Sequence, residues 1–255
     1  MLDLLYAAPS WAIFLSFSGL AVASALAVPL LARLVRPAPD TKEQLDVALR
    51  ATGIVSGVLT LVLAFSAAEA RVQLQEARAT VNREAQALES LLRAGSFALA
   101  EPAPLREVAI RYARTAATEE FPAMRRGEAS AATAEAMAAL ETVTRQAAAR
   151  LGPGQAADLL RQVDDVSDLR DTRLRQSEGG VPAEFWMLVL LLTAALFACG
   201  ALFPPRRHNL ALVGVQAAVM GALLAFVFIM DQPYRGSVSA GAAPLLHAAE
   251  VMARR

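Results

Sequence analysis

The sequence predicts an all-α membrane protein: four transmembrane helices, with an extracytoplasmic helical bundle inserted between the second and the third. Three observations carry this reading. Four apolar stretches, roughly 11–32, 52–68, 185–203 and 209–230, contain no charged side chain and approach the ~20 residues needed to cross a ~30 Å hydrocarbon core. The polar region between the second and third stretches places apolar residues at helical spacing and has no alternating strand pattern. The chain is 56% hydrophobic with a mean hydropathy of +0.41, well above an ordinary soluble domain. Lipid offers no partner to backbone polar groups, so each such stretch must span as a helix.

The elements then divide as 1–68, a first helix pair with a short loop; 69–183, the inserted bundle; 184–235, a second helix pair; and 236–255, a tail with a short amphipathic helix. Ala25-Leu26-Ala27 has the form of a signal-cleavage site. No Lys or Arg precedes the first stretch, however, and Asp3 does, so a retained helix is expected. Arg33, Arg36, Lys42 and Arg50 follow the first stretch, and Arg206 and Arg207 lie between the third and fourth. By the positive-inside rule both loops are cytoplasmic. Both termini and the 69–183 region are then outside the cytoplasm. Arg71, Arg78, Arg83, Arg170, Arg173 and Arg175 sit on the other side, in a long domain where the rule loses force.

Within the insert, Leu74, Val81 and Leu88 repeat every seven residues beside Ala85, Leu92 and Leu99, which extends the second membrane helix with helical period. Pro102 and Pro104 break it. Leu105, Val108 and Tyr112 mark a second segment, ending near Phe121-Pro122 and Gly127. Ser130 to Leu151 is a third, with Met137, Leu140, Thr144, Ala147 and Leu151 on one face. Gly152-Pro153-Gly154 is a turn, after which Leu159, Val163, Val166 and Leu169 line a fourth helix running to the hinge Gly179-Gly180-Val181-Pro182. Four amphipathic segments joined by short turns predict an antiparallel bundle.

Charge and motif exclude more than they assign. Formal net charge is zero, and no basic stripe is available to neutralise phosphates, so no nucleic-acid partner is expected. The insert's fifteen arginines and seventeen acidic residues nearly balance, with spacings such as Arg161 to Asp165 and Asp171 to Arg175 that suit pairs within one helix. The single cysteine, Cys199, allows no intrachain disulfide. His208 and His247 lack the Glu-x-x-His spacing of carboxylate-bridged metal bundles. Glu119-Glu120 and Asp164-Asp165 are neighbours that point apart on a helix, unsuited to paired acid–base work. Asp164, Asp168 and Asp171 share a face, which Arg161 and Arg175 neutralise. No enzyme, cofactor or metal site is predicted.

The membrane helices carry the candidate site. Gly53, Gly57, Thr60, Ala64 and Ala67 share one face of the second helix, and Gly214 and Ala218, with Gly221 and Ala225 nearby, lie on the fourth. Small residues at this spacing let backbones approach closely, either within one chain or between copies. If copies meet here, Gly53, Ser56, Gly57 and Thr60, with Gln216 of the fourth helix, line a path between subunits. Asp231, just past the last apolar residue, is an interfacial carboxylate.

Several short motifs carry a resemblance across nearly the whole chain. They are Gly57-Val58-Leu59 leading to Leu63-Ala64-Phe65; Arg83-Glu84-Ala85 and then Leu88; Tyr112 followed by Glu120-Phe121-Pro122; and Leu169-Arg170-Asp171-Thr172-Arg173. Pro182 with Trp186, and Asp231-Gln232-Pro233-Tyr234-Arg235-Gly236, complete the set. In order and spacing the chain resembles the bacterial bestrophin-like family of membrane proteins, whose function is not established. Two positions depart from the family's pattern: Gln44-Leu45-Asp46 replaces a His-Asn-type approach to helix two, and Thr60 replaces an aromatic residue. The resemblance implies kinship with anion channels and marks Arg83, Glu84, Arg170, Asp171, Arg173, Pro182, Asp231 and Pro233 as family-like positions. Two functions are open at this point: a homo-oligomeric pore for small anions, seated in the lipid bilayer, or a membrane-anchored scaffold or ligand-sensing module.

Overall fold

The computed structural model describes residues 8–35, 42–200, 202–203, 206–236 and 238–254. Asp3, which weighed against a cleaved signal, and Arg36, used for orientation, lie outside the described residues. The described chain is helical: α1 (Ser10–Val35), α2 (Lys42–Ala98), α3 (Ala103–Thr115), a π-helical turn (Ala116–Glu120), α4 (Phe121–Met124), α5 (Ala131–Ala148), α6 (Pro153–Glu178), α7 (Ala183–Gly200), α8 (Arg207–Met230) and α9 (Ala243–Arg254). It forms two compact units. One comprises residues 1–72, 180–231 and 236–238, the other 73–179, 232–235 and 239–255. The single 57-residue helix α2 contributes to both, as its uninterrupted period predicts.

The first unit is a multi-pass membrane unit. Ser10–Val28, the apolar part of α2 and Arg207–Met230 are long and apolar enough to cross a bilayer. The apolar helix of α7, Glu184–Gly200, is shorter than these three, and residue 201 lies outside the described residues. Large apolar side chains face outward, among them Leu15, Ile54, Phe65, Leu190 and Val215, as a lipid-facing surface requires. Inside, α2, α7 and α8 share a core of Leu59, Leu63, Val189, Leu196, Met220 and Val227.

Helix α1 packs closely on α8. A Cβ at Gly221 would stand 2.7 Å from both the Phe17 carbonyl oxygen and the Ser18 Cα, so only glycine fits the contact. Ser18 Oγ donates to the Ala218 carbonyl at 3.2 Å, and the Phe17 and Phe228 rings lie 5.2 Å apart. The small residues of α8 therefore serve packing within the chain. At the end of α8, Asp231 Oδ1 accepts the Val181 N–H at 2.6 Å, giving that interfacial carboxylate a structural partner.

The second unit is a helical bundle. Leu88, Leu91, Leu105, Tyr112, Leu140, Leu159, Val163 and Val166 are buried together, each large apolar side chain contributing about 1.5–3 kcal/mol relative to exposure. The predicted stripe residue Leu92 packs half-buried against them. Helix α9 adds Leu245, Ala248, Ala249 and Met252, and Tyr234 joins the same core.

Local chemistry sets the boundaries in this unit. Pro102 caps α3 with Pro104 in its first turn. Gly127 takes φ 76° to turn the chain after α4, and the Ser130 side chain accepts the Thr133 N–H to open α5. Of the surface pairs expected from spacing, Arg161 reaches Asp158 at 2.6 Å and Asp165 at 3.5 Å. Arg175 instead donates to Thr172 Oγ1 at 3.0 Å, which corrects the expected pairing with Asp171.

Candidate functional site

Helix α2 sorts its predicted site residues by direction. Leu59 and Leu63 point into the core, and Ser56, a turn before Leu59, points the same way. Its hydroxyl accepts from Gln216 Nε2 of α8 at 2.9 Å. Ser56 and Gln216 therefore meet inside one chain. Gly53, Gly57, Thr60 and Ala64 turn outward and are exposed. A Cβ at Gly53 or Gly57 would meet nothing within 4 Å, so these two glycines of α2, unlike Gly221 of α8, pack on nothing in the chain. Thr60 Oγ1 donates to the Ser56 carbonyl at 2.8 Å and lies 3.9 Å from Met220 Sδ of α8.

The bundle holds a constellation that sequence reasoning did not assemble. Arg173 of α6 is fully buried and donates through Nε and Nη2 to the two oxygens of Glu84, on α2, at 2.7 and 3.0 Å. Its Nη2 also reaches Glu120 Oε2 at 2.7 Å, and its Nη1 reaches Met124 Sδ at 3.0 Å. Arg170, one turn earlier, grips Glu120 with Nη2 at 2.5 Å and Nε at 3.3 Å. The Tyr112 hydroxyl donates to Glu84 Oε1 at 2.5 Å, and the Phe121 ring lies 5.1 Å from the Arg173 guanidinium carbon.

The π-helical turn Ala116–Glu120 makes this geometry. The Phe121 N–H bonds back to the Ala116 carbonyl, which inserts one residue relative to α-helical phase and buries both Glu120 and Phe121. Glu119 stays exposed, as adjacent positions on a helix require. π-turns of this kind mark sites where a side chain must be re-aimed.

Two carboxylates and two guanidiniums cancel in charge, and the guanidinium N–H groups of Arg173 point at protein acceptors. The cluster clamps α2, α3, the π-turn and α6 together; it does not offer an open anion site. Burial acting alone would lower the Arg173 pKa, but the adjoining Glu84 carboxylate holds it above the ordinary arginine value. Burial first, then the Glu84 charge, pushes the Tyr112 phenol well above its usual range.

The remaining predicted positions lie apart from this cluster. Arg83, Asp171 and Pro182 are exposed, and Pro233 is buried, its carbonyl accepting the Ala240 N–H at 2.7 Å. A signal for the clamp was present in the pattern. Glu84 falls between Val81 and Leu88 on the buried stripe of α2, and Arg170 and Arg173 continue the Val163–Val166 stripe of α6. Charged residues in core phase are the mark of buried pairing. Among the described residues no group of three or more His, Cys, Asp or Glu is placed to hold a metal ion.

Solved structures share this architecture. A point variant of a bacterial bestrophin homolog from Klebsiella pneumoniae is 14% identical with a TM-score of 0.65, covering 94% of this chain and 98% of its own. Another variant of that protein is 14% identical with a TM-score of 0.66, covering 94% and 95%. A point variant described as a membrane protein is 12% identical with a TM-score of 0.67, covering 94% and 96%. No curated protein sequence matches the chain. A family model described as a bestrophin-like domain matches residues 18–245, nearly the whole length and every motif quoted above, and the chain belongs to the bestrophin-like family.

Proposed function

We propose that the protein is a homo-oligomeric, channel-like pore for small anions in the bacterial inner membrane. The observation that carries this reading is the outward face of α2. Gly53, Gly57, Thr60 and Ala64 form an exposed small-residue stripe, and a Cβ at either glycine would meet nothing in the chain within 4 Å. In lipid such a stripe brings helix backbones together by close contact, and a ring of α2 helices around an axis would use it. Membership of the bestrophin-like family and the fold shared with a bacterial bestrophin homolog support the channel-like reading.

In this reading α7 completes four spans, the 69–183 region and both termini lie outside the cytoplasm, and the loops holding Arg50, Arg206 and Arg207 face inward. Gly53, Gly57 and Thr60 stand nearest the axis, while Ser56 and Gln216 support α2 from behind.

The test combines stoichiometry with flux. Purified protein in nanodiscs should assemble as a defined oligomer, and liposomes containing it should pass chloride or nitrate above the lipid background. Gly57→Leu should abolish flux by blocking close approach or the path, whereas Glu128→Ala, on the exposed bundle surface, should leave it intact. A folded protein that stays monomeric and passes no ion would overturn the pore and leave the membrane-anchored scaffold.

A further inference from the structure

Between the end of α7 and the first half of α8, facing α1 and α2, lies a cavity of about 400 Å³, within the ~300–1,000 Å³ of small-molecule sites. Its walls divide by chemistry. Phe197 of α7 and Leu212 of α8 represent a mainly apolar surface, while Thr52 and Ser56 of α2 and Asn209 and Gln216 of α8 bring in neutral polar groups. No Asp, Glu, Lys or Arg is among the described residues that line it. The described lining thus offers an ionic ligand no opposite charge to compensate its loss of water.

The polar groups are not equivalent. Thr52 donates to the Ala48 carbonyl of its own helix at 2.8 Å, as Thr60 and Ser66 do to Ser56 and Val62. Ser56 instead accepts from Gln216 Nε2. That bond uses one amide hydrogen and one hydroxyl lone pair. The Ser56 O–H remains a donor and Gln216 Oε1 an acceptor, and both residues line the cavity. In apolar surroundings groups of this kind are costly unless a partner reaches them.

We propose that this cavity binds an uncharged, membrane-soluble ring compound carrying hydrogen-bonding oxygens, of the phenol or quinone kind, held at its oxygens by the Ser56–Gln216 pair. The ring packs on the apolar wall that includes Phe197, where aromatic contact adds to burial. Such a molecule reaches the site from the bilayer. The cavity is built by one chain's own helices, so the site stands whether or not the assembled protein conducts.

The test is photolabelling of the full chain in phosphatidylcholine nanodiscs with a diazirine analogue of diisopropylphenol. Adducts are mapped by peptide mass spectrometry, with decyl-benzoquinone and oleate as competitors. Labelling should concentrate at Phe197 and Leu212, be displaced by the benzoquinone, and fall about tenfold in Gln216→Leu with the melting profile unchanged. Ser56→Ala is the second variant should Gln216→Leu not fold. Labelling spread evenly over lipid-facing positions such as Leu190 and Leu191, or undiminished in the folded variant, would overturn the proposal. So would absence of any adduct, or displacement by oleate in preference to the benzoquinone, which would mark the cavity as a site for an anionic lipid.

Discussion

Arg173 and Glu84, separated by 89 residues, are joined through both carboxylate oxygens in a site with no solvent exposure of either side chain. Placing two such charges out of water is costly, and their attraction with the added hydrogen bonds of Tyr112 and Glu120 does little more than offset that cost. The clamp contributes specificity more than net stability: only the native register of α2, α3, α6 and the π-turn satisfies all its members. Removing one member is another matter.

Arg173→Met should destabilise the bundle by about 3–5 kcal/mol, because Glu84 and Glu120 are left buried without their shared cation. Chemical denaturation of the purified protein measures this. Arg161→Ala, which breaks only exposed pairs, should cost less than ~1 kcal/mol. Equal effects from the two would contradict the clamp.

Alkaline pH should weaken the fold through its buried tyrosines. Burial, then the Glu84 carboxylate, raises Tyr112, and burial raises Tyr234. Since the folded pKa lies above the unfolded value of about 10, this contribution is complete below about pH 10. It is lost as pH rises toward the folded values, at up to ~1.4 kcal/mol per pH unit for each group. Denaturation midpoints followed from neutral to alkaline pH should fall, and Tyr112→Phe should flatten that fall. A parent profile level through the alkaline range would refute the account.

Two glycines of α8 should respond oppositely to alanine. Gly221→Ala drives a methyl to 2.7 Å from the backbone of α1, and overpacking of this kind costs about 1–3 kcal/mol. At Gly214 the nearest atom to a new Cβ is Val22 Cγ1 at 4.0 Å, so Gly214→Ala should melt at or slightly above the parent temperature. Thermal unfolding in detergent distinguishes them.

Orientation can be read by cysteine labelling in a Cys199→Ala background. Glu128→Cys should react with an impermeant reagent in intact cells, and His208→Cys only after permeabilisation, as the arginine-bearing loops predict. The reverse pattern would invert the topology.

The helical nature of the chain was legible because its causes are local. Leu74, Val81 and Leu88 keep one phase through the long helix α2, and Pro102 and Pro104 stop the next segment from merging with it. The small residues of α8 announced a close contact, though not that α1 would fill it while Gly53 and Gly57 of α2 met nothing.

The sequence by itself determined the membrane class, the helices and most of their limits, since hydropathy, period, proline and caps act within a turn or two of the chain. Only the tertiary structure decided which charges meet. Glu84, Glu120 and Arg173 converge across three segments, and Ser56 finds Gln216 across 160 residues, because such meetings depend on helix phase and packing direction accumulated over the whole fold. A π-turn at Ala116–Glu120 adds one residue to that phase, and the carboxylate of Glu120 enters the core in consequence.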